Sequence, residues 1–378
     1  MREERTMITR MIEERKITAE EGLALLEALE RGESKPVEVE EIAVAPAPQL
    51  NEDGSGQITQ RGQGEANWES KHRTFPTEYV EFATDNASIR YRTWDEPFTQ
   101  VNVTARMDRP DRNFDLSQWL QGAVTQSSDD ERYRFSLKTD DLNGRQVDLA
   151  VSIQVPQGQA YELFHMSATN GSLDVQQINS ETAAFTSNNG NIVIEGMQVE
   201  QVNVTTVNGL IHIGGLLAES AVLTTTNGNI IAKGQLEELE CRTTNGSVHT
   251  DGVIAEKIEV HTQNGNIKAN CQFEELACKS QNGKIEILVA NSSSESSITA
   301  KTHNGHIAIQ FPAHSTGVYG ELNVNHGRAA CRLNGQQLVD KKQGDDADSC
   351  QTFRQGDEEL TYVEASSHNG SIHVSDEF

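Results

Sequence analysis

A chain of 378 residues has the length of two or three domains, yet 35% hydrophobic and 5% aromatic residues are a lean supply for one large globular core. The formal net charge of -26 argues against phosphate-driven binding of nucleic acid and against general adsorption to anionic lipid, leaving room only for a local basic patch. No run approaches the roughly 18 apolar residues of a membrane span, and the opening MREERTMITRMIEERK is too charged for a secretory signal, so the reading places the chain in the cytoplasm.

In chain order, Met7, Ile8, Met11 and Ile12 recur at helical spacing, and Thr18 with Glu21 forms a capping box before a second helix through Leu23, Leu25, Leu26 and Leu29. Gly32 stops it. Two helices of about 12 residues bury too little surface to stand alone. This α-helical hairpin, 1–33, is therefore expected to dock, on its own chain, on a protein partner or on a second copy in a homo-oligomer, through Met11, Ile12, Leu23, Leu26 and Leu29. Residues 34–75, rich in Pro, Gly, Gln and Glu, read as a flexible linker. Alternating β-branched segments such as ASIRYRTW, TQVNVTARM and RQVDLAVSIQVP predict an irregular β region over 76–165 that starts the next unit, with DLSQWLQGAV, 115–124, as one short helix.

From there one pair of residues dominates. Asn-Gly begins at Asn170, Asn189, Asn208, Asn227, Asn245, Asn264, Asn282, Asn304 and Asn369. Successive sites up to Asn282 lie 18 or 19 residues apart, and the step to Asn304 is 22. One Asn-Gly between alternating runs signals a hairpin, but a fixed period near 20 signals a solenoid. Counting each Asn as zero, position −4 holds Met166, Phe185, Val204, Leu223, Cys241, Val260, Cys278, Ala300 and Ala365, and position +3 is Leu173, Ile192, Ile211, Ile230, Val248, Ile267, Ile285, Ile307 and Ile372. Position −2 is almost always Ser or Thr. Separate two-stranded hairpins cannot bury such faces, whereas coils stacked at the strand spacing can. The expected fold is mainly β: a single-stranded, parallel β-helix-like solenoid over 166–378 with about 19 residues per coil. Alternation places the nine Asn inward as an amide ladder, with the Ser and Thr rungs bonding one another beside it. The corner glycines Gly171, Gly190, Gly209, Gly228, Gly246, Gly265, Gly283, Gly305 and Gly370 are expected to supply φ above zero.

The period breaks at 311–362, an insertion in which His326 aligns with the ladder Asn. The last coil, SSHNGSIHVSDEF, is expected to leave an open sheet end.

Chemistry is sparse. There is no GxSxG, HExxH, phosphate loop or calcium nonapeptide. The five cysteines have no zinc or disulfide spacing and read as buried thiols. His212 and His249 share a row two coils apart, too far for one metal, and His303 and His368 are separated by the insertion. Outward acids such as Asp174, Glu195, Asp251 and Glu286 fall singly on different coils, against the clustered carboxylates of a polysaccharide-cleaving β-helix. No catalytic residue, metal or cofactor is expected.

The TTxNGxIxI repeat resembles the bacterial "putative adhesin" domain of unknown function, a β-solenoid family, and RMIEERKITAEEGLALLEAL resembles the helical module of LiaX-like and YvlB-like proteins. That resemblance implies a non-enzymatic role in cell-envelope stress. The expected function is a non-catalytic binding or scaffold protein that uses a rigid solenoid and a helical docking module, in the cytoplasm or peripheral to the membrane, with a protein partner that is a membrane-associated envelope-stress component. The alternatives are a carbohydrate-active β-helix enzyme and an adhesin at the cell surface.

Overall fold

The computed structural model describes residues 56–376 apart from 61–63, 110, 141, 143, 291–294, 314, 316, 335, 344–348 and 357–359. The expected helical hairpin, 1–33, and most of the expected linker lie outside the described residues. The linker's last part does not: Gln57–Gln60 and Glu65–His72 are strands. Alternation in EANWESKH turns Ala66, Trp68, Ser70 and His72 inward, so a composition that reads as linker here supplies one buried face.

The repeat forms stacked coils. Strands Leu173–Ser187, Ile192–Thr206, Ile211–Thr225, Ile230–Thr243 and Val248–Thr262 pair in parallel, each against the next. Positions −4 and +3 are 0–1% exposed in each of the nine Asn-Gly coils, as their apolar identity demands. Within one coil the alternation slips twice. Leu173 and Val175 point in, Gln176 and Gln177 both point out, Ile178 and Ser180 point in, Glu181 and Thr182 point out, and Ala183, Phe185 and Ser187 point in. Two consecutive outward residues mark a bend, so this coil has three straight pieces joined by two bends and the Asn-Gly corner. The first bend needs left-handed backbone at Gln177 (φ 57), Gly196 (φ 73), Gly215 (φ 65) and Gly252 (φ 72).

One coil was hidden in the sequence. Strands Tyr79–Thr84 and Ser88–Trp94 carry Phe82 and Ile89 inward and put Asn86 in the ladder row, with Ala87 where the other coils have Gly. This coil sits between Tyr161–Ala168 and Leu173–Ser187 on one side and Arg132–Leu137 and Asp148–Pro156 on the other. Antiparallel strands then close the stack: Thr99–Arg106 on Asp148–Pro156, Glu65–His72 on Thr99–Arg106, and Val124–Ser128 on Arg132–Leu137. Helix Leu116–Ala123 follows the expected short helix, with the Asp115 carboxylate accepting from the amides of Ser117 and Gln118. Much of the scarce aromatic content gathers at this end, where Phe75 stacks on Tyr133 at 4.1 Å and Phe82, Phe164 and Phe185 continue the core.

The other end corrects the expected open edge. The last strand, Thr361–Ser375, is not the outermost. It pairs in parallel with Ser296–Asn304 and Ile307–Gln310 on one side and with Val318–Arg332 on the other. The insertion thus contributes a full coil, with His326 opposite Asn369 as the alignment implied. Ser349–Gln355 then pairs antiparallel on Val318–Arg332, and Gln336–Gln343 pairs antiparallel on Ser349–Gln355. Both ends therefore slot one coil inside a neighbour that is distant in sequence and finish in antiparallel pairing, which breaks the parallel template a bare coil would offer.

Candidate functional site

The conspicuous Asn-Gly residues build the corner. The Asn amides do form a ladder: each Nδ2 donates to the Oδ1 of the preceding coil at 2.6–2.9 Å, from Asn170 on Asn86 to Asn369 on Asn304. Its direction differs from expectation. All nine Asn are exposed, because the chain turns at the residue before each of them and carries the amides onto the outer edge. The hydroxyl rungs do not bond one another either. Ser187, Thr206 and Thr225 each donate to the carbonyl oxygen of the preceding coil's corner glycine at 2.9–3.1 Å, a pattern that continues to Ser367. The glycines are required for closeness, not for φ. None of the nine is among the positive-φ residues, but a Cβ on Gly190, Gly228 or Gly246 would lie 1.7–2.0 Å from the carbonyl oxygen of the glycine below.

With the repeat spent on stacking, the charged side chains gather in the outward rows. At position −3 the register places Arg242, His261, Lys279 and Lys301 on four successive coils. They line a shallow groove of about 540 Å³ with Thr244, Gln263, Gln281 and His303. Arg242 pairs with Glu240, Lys301 with Glu364 at 2.5 Å, and His261 lies 3.7 Å from Glu259. Lys279 makes no ion pair among the described residues. Burial, with Lys279 and Arg242 nearby, holds the His261 imidazole below its usual range despite Glu259. No sequence motif marks this row, since its members are 18 to 22 residues apart and differ in type.

A second row is acidic and was not among the outward acids read from the sequence. Glu131, Glu78, Glu162, Glu181, Glu200, Glu219, Glu237, Glu256 and Glu274 occupy one position on successive rungs, all exposed. From Glu162 onward they share the 18- or 19-residue period, which was the available signal. No pair among them is set apart by burial, the asymmetry that divides acid from base in a glycosidase.

The histidines and thiols complete the inventory. Ile231 separates His212 from His249 in their row, as expected. His303 and His368, expected to lie apart, are neighbours: their rings stack at 4.7 Å, with His326 edge-on to His368 at 5.2 Å, because the last strand returns beside Ser296–Asn304. Among the described residues no group of three His, Cys, Asp or Glu is arranged to hold a metal ion. Cys241, Cys271, Cys278 and Cys331 are buried and Cys350 is half-buried. Burial pushes the Cys241 and Cys271 thiols up to about 12, so neither is a ready nucleophile. The expected docking residues Met11, Ile12, Leu23, Leu26 and Leu29 lie outside the described residues.

Comparison with known families matches two segments, 78–234 and 231–375, to the Toastrack DUF4097 model, and these cover most of the chain. The chain belongs to the Toastrack DUF4097 family. A β-solenoid-like Toastrack unit accordingly occupies nearly all of the described residues, and 3–34 match a SHOCT-like domain. No curated protein sequence matches the chain. Similar solved structures include a "putative adhesin" from Parabacteroides distasonis at 12% identity, covering 85% of this chain and 98% of its own with TM-score 0.42. A "putative lipid binding protein" from the same organism is 14% identical over 82% of this chain and 96% of its own, with TM-score 0.39. A "putative adhesin" from Parabacteroides merdae is 13% identical over 82% and 95%, with TM-score 0.40.

Proposed function

We propose that this Toastrack protein is a non-catalytic binding protein of the bacterial cell envelope, acting from the cytoplasm at the membrane periphery and engaged in envelope stress. The observation that carries the reading is the division of labour in each coil. The repeated Asn, Gly, Ser and Thr are committed to stacking, and the outward rows carry continuous files of charge instead of an enclosed pocket. The names of similar structures, adhesin and lipid-binding protein, are in keeping with a binding role. The SHOCT-like segment supplies the docking module, consistent with the apolar stripe of Leu23, Leu26 and Leu29.

The test is recovery of partners from native cells with and without envelope stress, using the full chain and one lacking 1–33. The expected result is an envelope protein that co-purifies with the full chain and is lost on deletion. Equal recovery by both chains would overturn the docking role, and digestion of the protein by protease added to intact cells would overturn the location.

A further inference from the structure

The groove at Arg242, His261, Lys279 and Lys301 stands out on a chain of net charge -26. It runs along the stacking direction, one cationic or titratable side chain per coil at roughly 4.8 Å intervals. Such a file matches a ligand that is itself linear and repeats its charge. We propose that this groove binds a linear acidic polysaccharide, laid along the stack with its carboxylates against the cationic row. The inference rests on the binding-protein reading and names a ligand class for it.

The balance of charge favours the middle of the groove. In the neighbouring −5 row, Glu240 and Glu259 stand beside Arg242 and His261, but the next two rungs replace them with Ala277 and Thr299. The acids drop out beside Lys279, which makes no ion pair among the described residues, and return on the following rung as Glu364 against Lys301, so Lys279 is the uncompensated cation of the row. The glutamate file is five residues away along the strand, on the order of 16 Å, beyond the screening length of about 8 Å at physiological salt. It therefore does not cancel the local field.

The uncharged lining chooses among polyanions. Gln263 and Gln281 present amides, and Thr244 and His303 add further polar groups, all suited to sugar hydroxyls. No Phe, Tyr or Trp lines the groove, so the stacking platform that single-stranded nucleic acid uses is missing from its walls. No large apolar side chain lines it either, which disfavours insertion into lipid.

The experiment measures binding of the purified full-length chain to polygalacturonate, with dextran, a single-stranded oligonucleotide and phosphatidylglycerol vesicles as the other probes. The expected result is binding to polygalacturonate alone that weakens as salt rises, and a loss on the order of tenfold in Lys279→Gln/Lys301→Gln. Glu200→Gln should bind as the wild type does, and all proteins should keep their unfolding midpoints. Absence of polygalacturonate binding, equal binding by the double variant, or equally tight binding of the oligonucleotide or vesicles through the same lysines would each overturn the proposal. None of these outcomes bears on partner recovery through 1–33, so the two readings fail separately.

Discussion

Gly228→Ala should destabilise the solenoid by about 3 kcal/mol, the upper end for overpacking, although it adds one methyl group at a surface corner. The new Cβ would lie 1.8 Å from the Gly209 carbonyl oxygen and 2.6 Å from its carbon, both backbone atoms that no rotamer change can move. The coils must part there. Doing so strains three bonds that cross the same gap: Thr225 Oγ1 to the Gly209 oxygen at 3.1 Å, Asn227 Nδ2 to Asn208 at 2.8 Å, and the Asn227 amide to the Val207 oxygen at 2.8 Å. In a unit of this size the thermal midpoint should fall by roughly 10 °C. Gly122→Ala is the control, since that helical glycine has nothing within 4 Å of its added Cβ and the change should be neutral or stabilising. Equal midpoints for the two variants would mean that coil contact at the corner is not what requires glycine.

Deleting residues 357–378 should do more damage than its length suggests. If the last strand were the outer edge, its loss would shorten the stack by one coil. Because Thr361–Ser375 lies between Ser296–Asn304 and Val318–Arg332, deletion removes the middle of three layers and leaves two parallel edges without partners. It also removes the buried side chains of Val363, Ala365, Ile372 and Val374, where each large aliphatic residue is worth about 1.5–3 kcal/mol. The expected outcome is loss of amide-exchange protection over 296–332 while the strands from Leu173 to Thr262 stay protected, since coils contact only their neighbours. Protection restored by adding the deleted segment as a peptide would support the intercalated position. Unchanged protection over 318–332 would refute it.

These two cases show what the sequence could and could not reveal. Periodicity identifies which residues share a row, so the inward rows from Met166 to Ala365 and from Leu173 to Ile372 were legible, as was the amide ladder. Direction at a bend was not: alternation carried through the corner turned Asn227 inward, whereas the chain changes phase there and the amide emerges on the outer edge. The coil at Asn86 was missed because Ala87 replaces glycine. The order of the last coils was beyond any local pattern, because SxNG reads the same whichever rung lies next to it. The cationic row fell between these cases. Its positions were fixed by the period, but Arg242, His261, Lys279 and Lys301 are basic residues of three different types.

The central claim is that stacking makes neighbours of residues that sequence separates, and that the last coil enters between two earlier ones. A pair of cysteines read by a short thiol cross-linker tests it most directly. In a Cys350→Ser background, Lys301→Cys/Ser366→Cys joins two rungs that are adjacent in the stack but 65 residues apart in sequence, and Lys301→Cys/Asn323→Cys joins closer sequence positions that have Ser366 between them. The account predicts rapid cross-linking of the first pair and little of the second. Rapid cross-linking of Lys301→Cys/Asn323→Cys, with none of Lys301→Cys/Ser366→Cys, would contradict it.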